Sequence, residues 1–95
     1  SVSSDMLKRI EKLFMHFDAM YGLVWTKRFN SEDHLYFFIL QWSIALVDVT
    51  NQQIHKAIQF CLREKILPPS LPEFKQLCRQ YAVACHQAIY YPQIK

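Results

Sequence analysis

A chain of 95 residues, 52% hydrophobic and 15% aromatic, has material for one hydrophobic core and not two. One Gly and four Pro argue against a many-turned β sandwich and against a disordered tail. A formal net charge of +3 is compatible with nucleic acid but falls well short of the dense basic footprint that would dictate it.

The first helix is expected to begin near Ser4, whose hydroxyl can cap the amides after it. Leu7, Ile10, Leu13, Phe14 and Phe17 recur at three- and four-residue steps, which marks one buried face. Lys8, Arg9, Glu11 and Lys12 lie away from it. The helix should fade near Met20, because Gly22 reverses the chain at least cost. Tyr21 to Asn30 then reads as an aromatic-rich connector. Its Tyr21, Trp25 and Phe29 either fill a gap in a small core or form a partner-binding patch with Lys27 and Arg28, since Trp, Tyr and Arg are common interface anchors.

Asn30 or Ser31 caps the second helix, and Glu32 and Asp33 complement the positive end of its dipole. Leu35, Phe38, Ile39, Trp42 and Leu46 form its main stripe, with Tyr36, Phe37, Leu40 and Ile44 spilling beyond it. A helix apolar nearly all round is either central to the domain or carries a second face that meets another element or chain. In so short a chain the central position is the expectation, and this helix is the one expected to tolerate least change.

Thr50-Asn51-Gln52-Gln53 matches a capping box, and the third helix that follows carries Ile54, Ala57, Ile58, Cys61 and Leu62 inward. Its other face offers His55, Lys56, Gln59 and Arg63. Pro68-Pro69 should stop it, since proline lacks the amide hydrogen and forces its predecessor into extended backbone. Ser70-Leu71-Pro72-Glu73 is a second capping box, with Pro72 in the first turn where its missing donor costs nothing. Phe74, Leu77, Cys78, Tyr81, Ala82 and Cys85 form the buried stripe of the fourth helix, and Pro92 ends the ordered part.

The expectation is therefore an all-α single domain over 1–95. It is a compact bundle of four main helices, with an aromatic-rich loop between helices 1 and 2. Residues 1–3 and 93–95 should fray. Opening on Ser1 without a Met, the chain reads as a fragment of a longer protein. The apolar run Leu35 to Leu40 is too short to span a bilayer.

The residues offer little reactive chemistry. There is no Gly-rich phosphate loop, no nucleophile motif and no HExxH pattern, and several carboxylates sit at helix starts where capping accounts for them. No catalytic residue is assigned. Cys61, Cys78 and Cys85 all fall at helical positions, so three cysteines point to a reducing compartment and not to a disulfide framework. Cys78 and Cys85 are two turns apart, about 10 Å along the axis, too far to share an ion whose thiolate bonds are near 2.3 Å. No metal or cofactor is expected.

The basic residues leave two readings open. Lys56, Arg63 and Lys65 come from the third helix and its end, Lys75 and Arg79 from the outer face of the fourth. They form either a solvated polar face or a salt-sensitive, sequence-tolerant contact to phosphates. Glu73 in the opening turn of the fourth helix would repel phosphate and weakens a helix-turn-helix assignment.

Taken together, Tyr21-Gly22, Trp25, Phe29, Trp42 with Ala45-Leu46, Thr50, Ile54 and Cys61 lead to the run Pro68-Pro69-Ser70-Leu71-Pro72-Glu73-Phe74 and then to Leu77-Cys78-Arg79. This order resembles the replication protein P family of phages and prophages, the lambda-P-like helicase loaders, over residues 13–79. The most specific part is PPSLPEF followed by LCR; one departure is Lys56-Ala57-Ile58, where many relatives carry a Gly. The resemblance implies a non-enzymatic replication adaptor of the bacterial host cytosol. It would bind the replicative helicase, work with an initiator protein and touch single-stranded DNA, without membrane or small-molecule substrate. The alternatives from the residues alone are a small DNA-binding domain using the basic face, or a bacterial protein–protein interaction domain of unrelated role.

Overall fold

In the computed structural model, which describes residues 2–81, Ser3 starts the first helix, one residue earlier than the sequence suggests. Its hydroxyl accepts a hydrogen bond from the Met6 amide at 3.2 Å. Helix α1 (Ser4–Tyr21) buries Ile10, Leu13, Phe14 and Phe17 of the stripe read from the sequence, with Leu7 half-buried against the core. It ends at Gly22, whose amide donates to Asp18 O at 2.9 Å and whose φ is +60°. With ψ at −132°, this is backbone that a side chain rarely tolerates, although a Cβ there would meet no atom within 4 Å. The strain of a substitution would lie in the main chain alone.

The connector is not a plain loop. It contains a single helical turn, α2 (Leu23–Thr26), which drives Trp25 fully into the interior. Its ring lies 4.9 Å from both Phe14 and Phe17, 5.3 Å from Phe29 and 6.0 Å from Trp42, centroid to centroid. Phe74 joins the same cluster, 5.6 Å from Phe17 and 5.7 Å from Trp42. Four segments remote in sequence thus meet in one aromatic nucleus, mostly in edge-on or tilted arrangements that the ring quadrupoles favour.

Ser31 caps α3 (Glu32–Ala45), accepting from the His34 amide at 3.1 Å. Ile39, Trp42 and Leu46 point inward, and the buried Ser43 hydroxyl is satisfied by donating to Ile39 O at 2.7 Å. The expectation of a central helix fails. Tyr36, Phe37 and Ile44 on its outer side are more than half exposed, because nothing among the described residues packs against that side. Helix α1 packs directly on α2 and α3.

At α4 (Asn51–Glu64) the capping box forms with both arms: Gln53 N donates to Thr50 Oγ1 at 3.1 Å, and Thr50 N donates to Gln53 Oε1 at 2.8 Å. The same Gln53 side chain donates from Nε2 to Cys78 O at 2.9 Å, tying the first turn of α4 to α5 (71–81). Ile54, Ala57 and Cys61 are buried, but Leu62 is 67% exposed. Following Cys61 directly, it stands about 100° round the axis from the stripe, beyond the reach of the core.

The helix also stops earlier than the diproline, at Glu64, where Lys65 turns extended with φ −117° and ψ 120°. Ile66 and Leu67 are exposed while Pro68 and Pro69 are buried, so the prolines seat the connector more than they terminate the helix. Ser70 begins α5 by accepting the Glu73 amide at 3.3 Å, but the reciprocal arm of the second capping box is diverted: Glu73 Oε2 binds Lys65 Nζ at 2.7 Å. Phe74, Leu77 and Cys78 are buried and Tyr81 is half-buried. Ala82, Cys85 and Pro92, and the end expected to fray, lie outside the described residues.

Arg9 departs most from the sequence reading. Expected on a solvent face, it instead donates from Nη1 to Val49 O and from Nη2 to Leu46 O, each at 2.6 Å, with Asn51 Oδ1 at 3.3 Å. A cation thereby meets the carbonyl-rich C-terminal end of α3, where the helix dipole favours positive charge. All described elements are helical, as the composition and periodicity imply.

Candidate functional site

The five residues read as a possible partner patch do not form one. Trp25 is fully buried by α1 and α3, and Tyr21 and Phe29 are half-buried against the same core. Only Lys27 and Arg28 remain exposed. Trp25 is thus a core residue, because the α2 turn aims its ring inward. Arg28 stays beside it, its guanidinium carbon 5.3 Å from the centroid of the Trp25 ring, a cation–π geometry. The Trp25 indole N–H is buried with no acceptor, and so is the Nε–H of Arg9.

Arg28 borders a cleft of about 350 Å³ between α2, α3 and the start of α5. Buried Trp25 and Trp42 contribute to its wall together with half-buried Phe38, and exposed Phe37 and Gln41 stand at its edge. Phe37 also belongs to the outer side of α3. There Tyr36, Phe37 and Ile44, with Val47 just beyond the helix, are 54% to 62% exposed. At about 100° per residue, these four positions fall within roughly a quarter of the turn, so they share one side of the helix.

The basic residues are dispersed in their circumstances. Lys65 is engaged by Glu73 in a partly exposed pair worth about 0–1 kcal/mol, and the carboxylate stands where a phosphate would have to approach. Lys56 is half-buried and Arg63 exposed on α4. Lys75 and Arg79 line a shallow depression of about 510 Å³ on α5 with Pro72, Gln76 and Gln80.

Thr50, Pro68, Pro69 and Ser70 shape the connections, while Trp42, Phe74 and Cys78 are buried. Burial pushes the Cys78 thiol up to about 12, and raises that of Cys61 as well. Both therefore stay protonated near neutral pH, the unreactive and weakly ligating form of cysteine. Burial also lifts the Tyr21 phenol to about 12, and its hydroxyl makes long contacts to Cys61 O and Lys65 O at 3.5 and 3.4 Å. Among the described residues no three His, Cys, Asp or Glu side chains are grouped to hold a metal ion, and no helix is long and apolar enough to cross a membrane.

A third surface has no counterpart in the sequence reading. A groove of about 890 Å³ runs between α1 and α4, with Leu13, Ile54 and Ile58 at its apolar base and Lys8, Lys12 and His55 among its exposed borders. Arg9, bonded across to the corner after α3, closes one part of it. The signal was present as the i, i+4, i+8 series Lys8, Lys12, His16, which reads as ordinary solvated surface until the facing helix is placed. No protein-family model matches the chain, and no curated protein or solved structure matches it either.

Proposed function

We propose that this domain is a non-catalytic docking module that binds another protein through the outer side of α3. The observation that carries this reading is the row Tyr36, Phe37, Ile44 and Val47, large apolar side chains more than half exposed on one side of a helix whose other side is core. Single exposed apolar residues need no account; a row of them beside a cleft is the usual form of an interaction surface. Two of the four are aromatic, which bind with little conformational entropy to lose. The buried, protonated thiols and the absence of a converging polar set among the described residues favour holding over chemistry.

The resemblance of the sequence to helicase loaders supplies the partner class: a bacterial replicative helicase, with delivery to DNA as the role. The test is co-elution of the chain with a hexameric replicative helicase, repeated with Phe37→Asp and Ile44→Asp. Both side chains are exposed, so helicity should be retained while co-elution is lost. If neither this chain nor a longer protein containing it retains the helicase, the loader reading fails. If Phe37→Asp and Ile44→Asp bind undiminished, the α3 surface is the wrong one.

The second reading, DNA binding, draws on Lys75 and Arg79 beside the depression on α5. It requires binding to single-stranded oligonucleotides that weakens steeply between about 50 and 200 mM salt and is reduced by Lys75→Gln with Arg79→Gln.

A further inference from the structure

We infer that the groove between α1 and α4 receives an acidic amphipathic helix of a protein partner. This site shares only Val47 with the α3 surface, and none of the substitutions that test it is one of those that test that surface. Along α1 the groove is bordered from Asp5 to His16, a span of roughly 16 Å at 1.5 Å per residue. Three turns of a docked helix cover that length, enough to seat apolar anchors at i, i+3 or i+4, and i+7. The base suits such anchors. Leu13 and Ile54 are buried, Ile58 is half-buried, and exposed Val47 extends the apolar surface at the α3 corner.

Charge decides which helix fits. Lys8 and Lys12 stand one turn apart on the α1 border and are exposed, with His16 one turn further on. On the α4 side Asn51 and His55 repeat the same one-turn spacing. Arg9 adds a third permanent positive charge but is held by Leu46 O and Val49 O, so it fixes the wall while the two lysines face a partner. Asp5 is the one acid among the lining residues, which leaves the border at a formal +2, three cations against one anion. A helix carrying Glu or Asp at i, i+4 beside an apolar stripe meets both features at once.

Other occupants fit less well. The chain's own residues 82–95 contain no Asp or Glu to complement the lysines. Single-stranded nucleic acid would find the positive charge but no Phe, Tyr or Trp among the lining residues on which to stack its bases.

The test uses the whole chain against a displayed library of helices about three to four turns long, randomised among acidic, basic and apolar residues, and at about 0.1 M salt. The expected result is enrichment of acidic sequences with a helical apolar period. The double variant Lys8→Glu with Lys12→Glu should weaken an enriched peptide by about tenfold or more, and Ile58→Asp should abolish its binding. Circular dichroism should stay unchanged for the lysine variants, whose side chains are exposed. Four outcomes overturn the inference: no enrichment; enrichment of acidic sequences whose scrambled versions bind equally; binding indifferent to Lys8→Glu with Lys12→Glu; or sedimentation showing that a second copy of the chain occupies the groove. Displacement of an enriched peptide by single-stranded DNA that is itself lost in the same lysine variants would reassign the groove to nucleic acid.

Discussion

Replacing Trp25 separates its role as core from the role in partner contact that the sequence left open. In Trp25→Ala a fully buried indole is removed from contact with Phe14, Phe17, Phe29 and Trp42, at centroid distances of 4.9 to 6.0 Å. Large aromatic-to-alanine changes in a core cost about 3–5 kcal/mol, and loss of the Arg28 cation–π contact adds about 0.5–1 kcal/mol at an exposed guanidinium. Against a typical total of about 5–15 kcal/mol, much of the stability would go. Trp25→Phe should behave differently. It sacrifices about 1 kcal/mol of apolar contact but also removes an indole N–H buried without an acceptor, whose desolvation costs about 1–3 kcal/mol. The two effects nearly offset, so Trp25→Phe should lie within about 1 kcal/mol of the parent. Urea unfolding followed by circular dichroism measures both. A Trp25→Ala loss below about 1 kcal/mol would place the ring outside the core, and a Trp25→Phe loss equal to that of Trp25→Ala would mean that the N–H has a partner.

Three further outcomes are expected. Arg9→Met should destabilise by about 1–2 kcal/mol, because it strips the carbonyls of Leu46 and Val49 of their donor and the end of α3 of its cation; urea titration reads the loss. Gly22→Ala should cost about 1–3 kcal/mol through main-chain strain alone, read as a lower thermal midpoint, and an unchanged midpoint would contradict the positive φ at that residue. Stability should fall as pH rises from about 9 toward about 12, since the unfolded chain releases the Cys78 proton near its ordinary value of 9.0 while the folded chain holds it to about 12. Cys78→Ala should flatten that slope, and the Cys78 thiol should resist alkylation at pH 8 until the protein unfolds.

Local bonds were legible in the sequence and remote ones were not. The Thr50–Gln53 box and the Ser31 cap join residues three apart, so the pattern of types carries them. The buried stripes of α1 and α4 are legible for the same reason, Leu62 excepted, as is the all-helical class. Arg9 could not be placed, because its partners lie 37 to 42 residues away and a lone Arg on a polar face looks solvated. Glu73 fitted a capping box locally but found Lys65 across the connector, a competition that only tertiary placement settles. The connector aromatics were ambiguous because hydrophobicity does not say which way a short turn will face. The surplus apolar surface of α3 is legible in the sequence, but not which side of it stays uncovered; among the described residues nothing packs over Tyr36, Phe37 and Ile44. The groove between α1 and α4 depends on how two helices separated by 29 residues of chain (22–50) stand apart, which periodicity cannot report.

Gln53 has a bearing on how the domain breathes. One amide side chain closes the first turn of α4 and also clasps the carbonyl of Cys78. Loosening either helix releases the other, so both should open as one cooperative unit, with main-chain protons of Ile54, Ala57 and Cys78 exchanging with solvent at a shared free energy. Under the docking role proposed above, such a clasp would keep the α4–α5 corner closed while a partner is held.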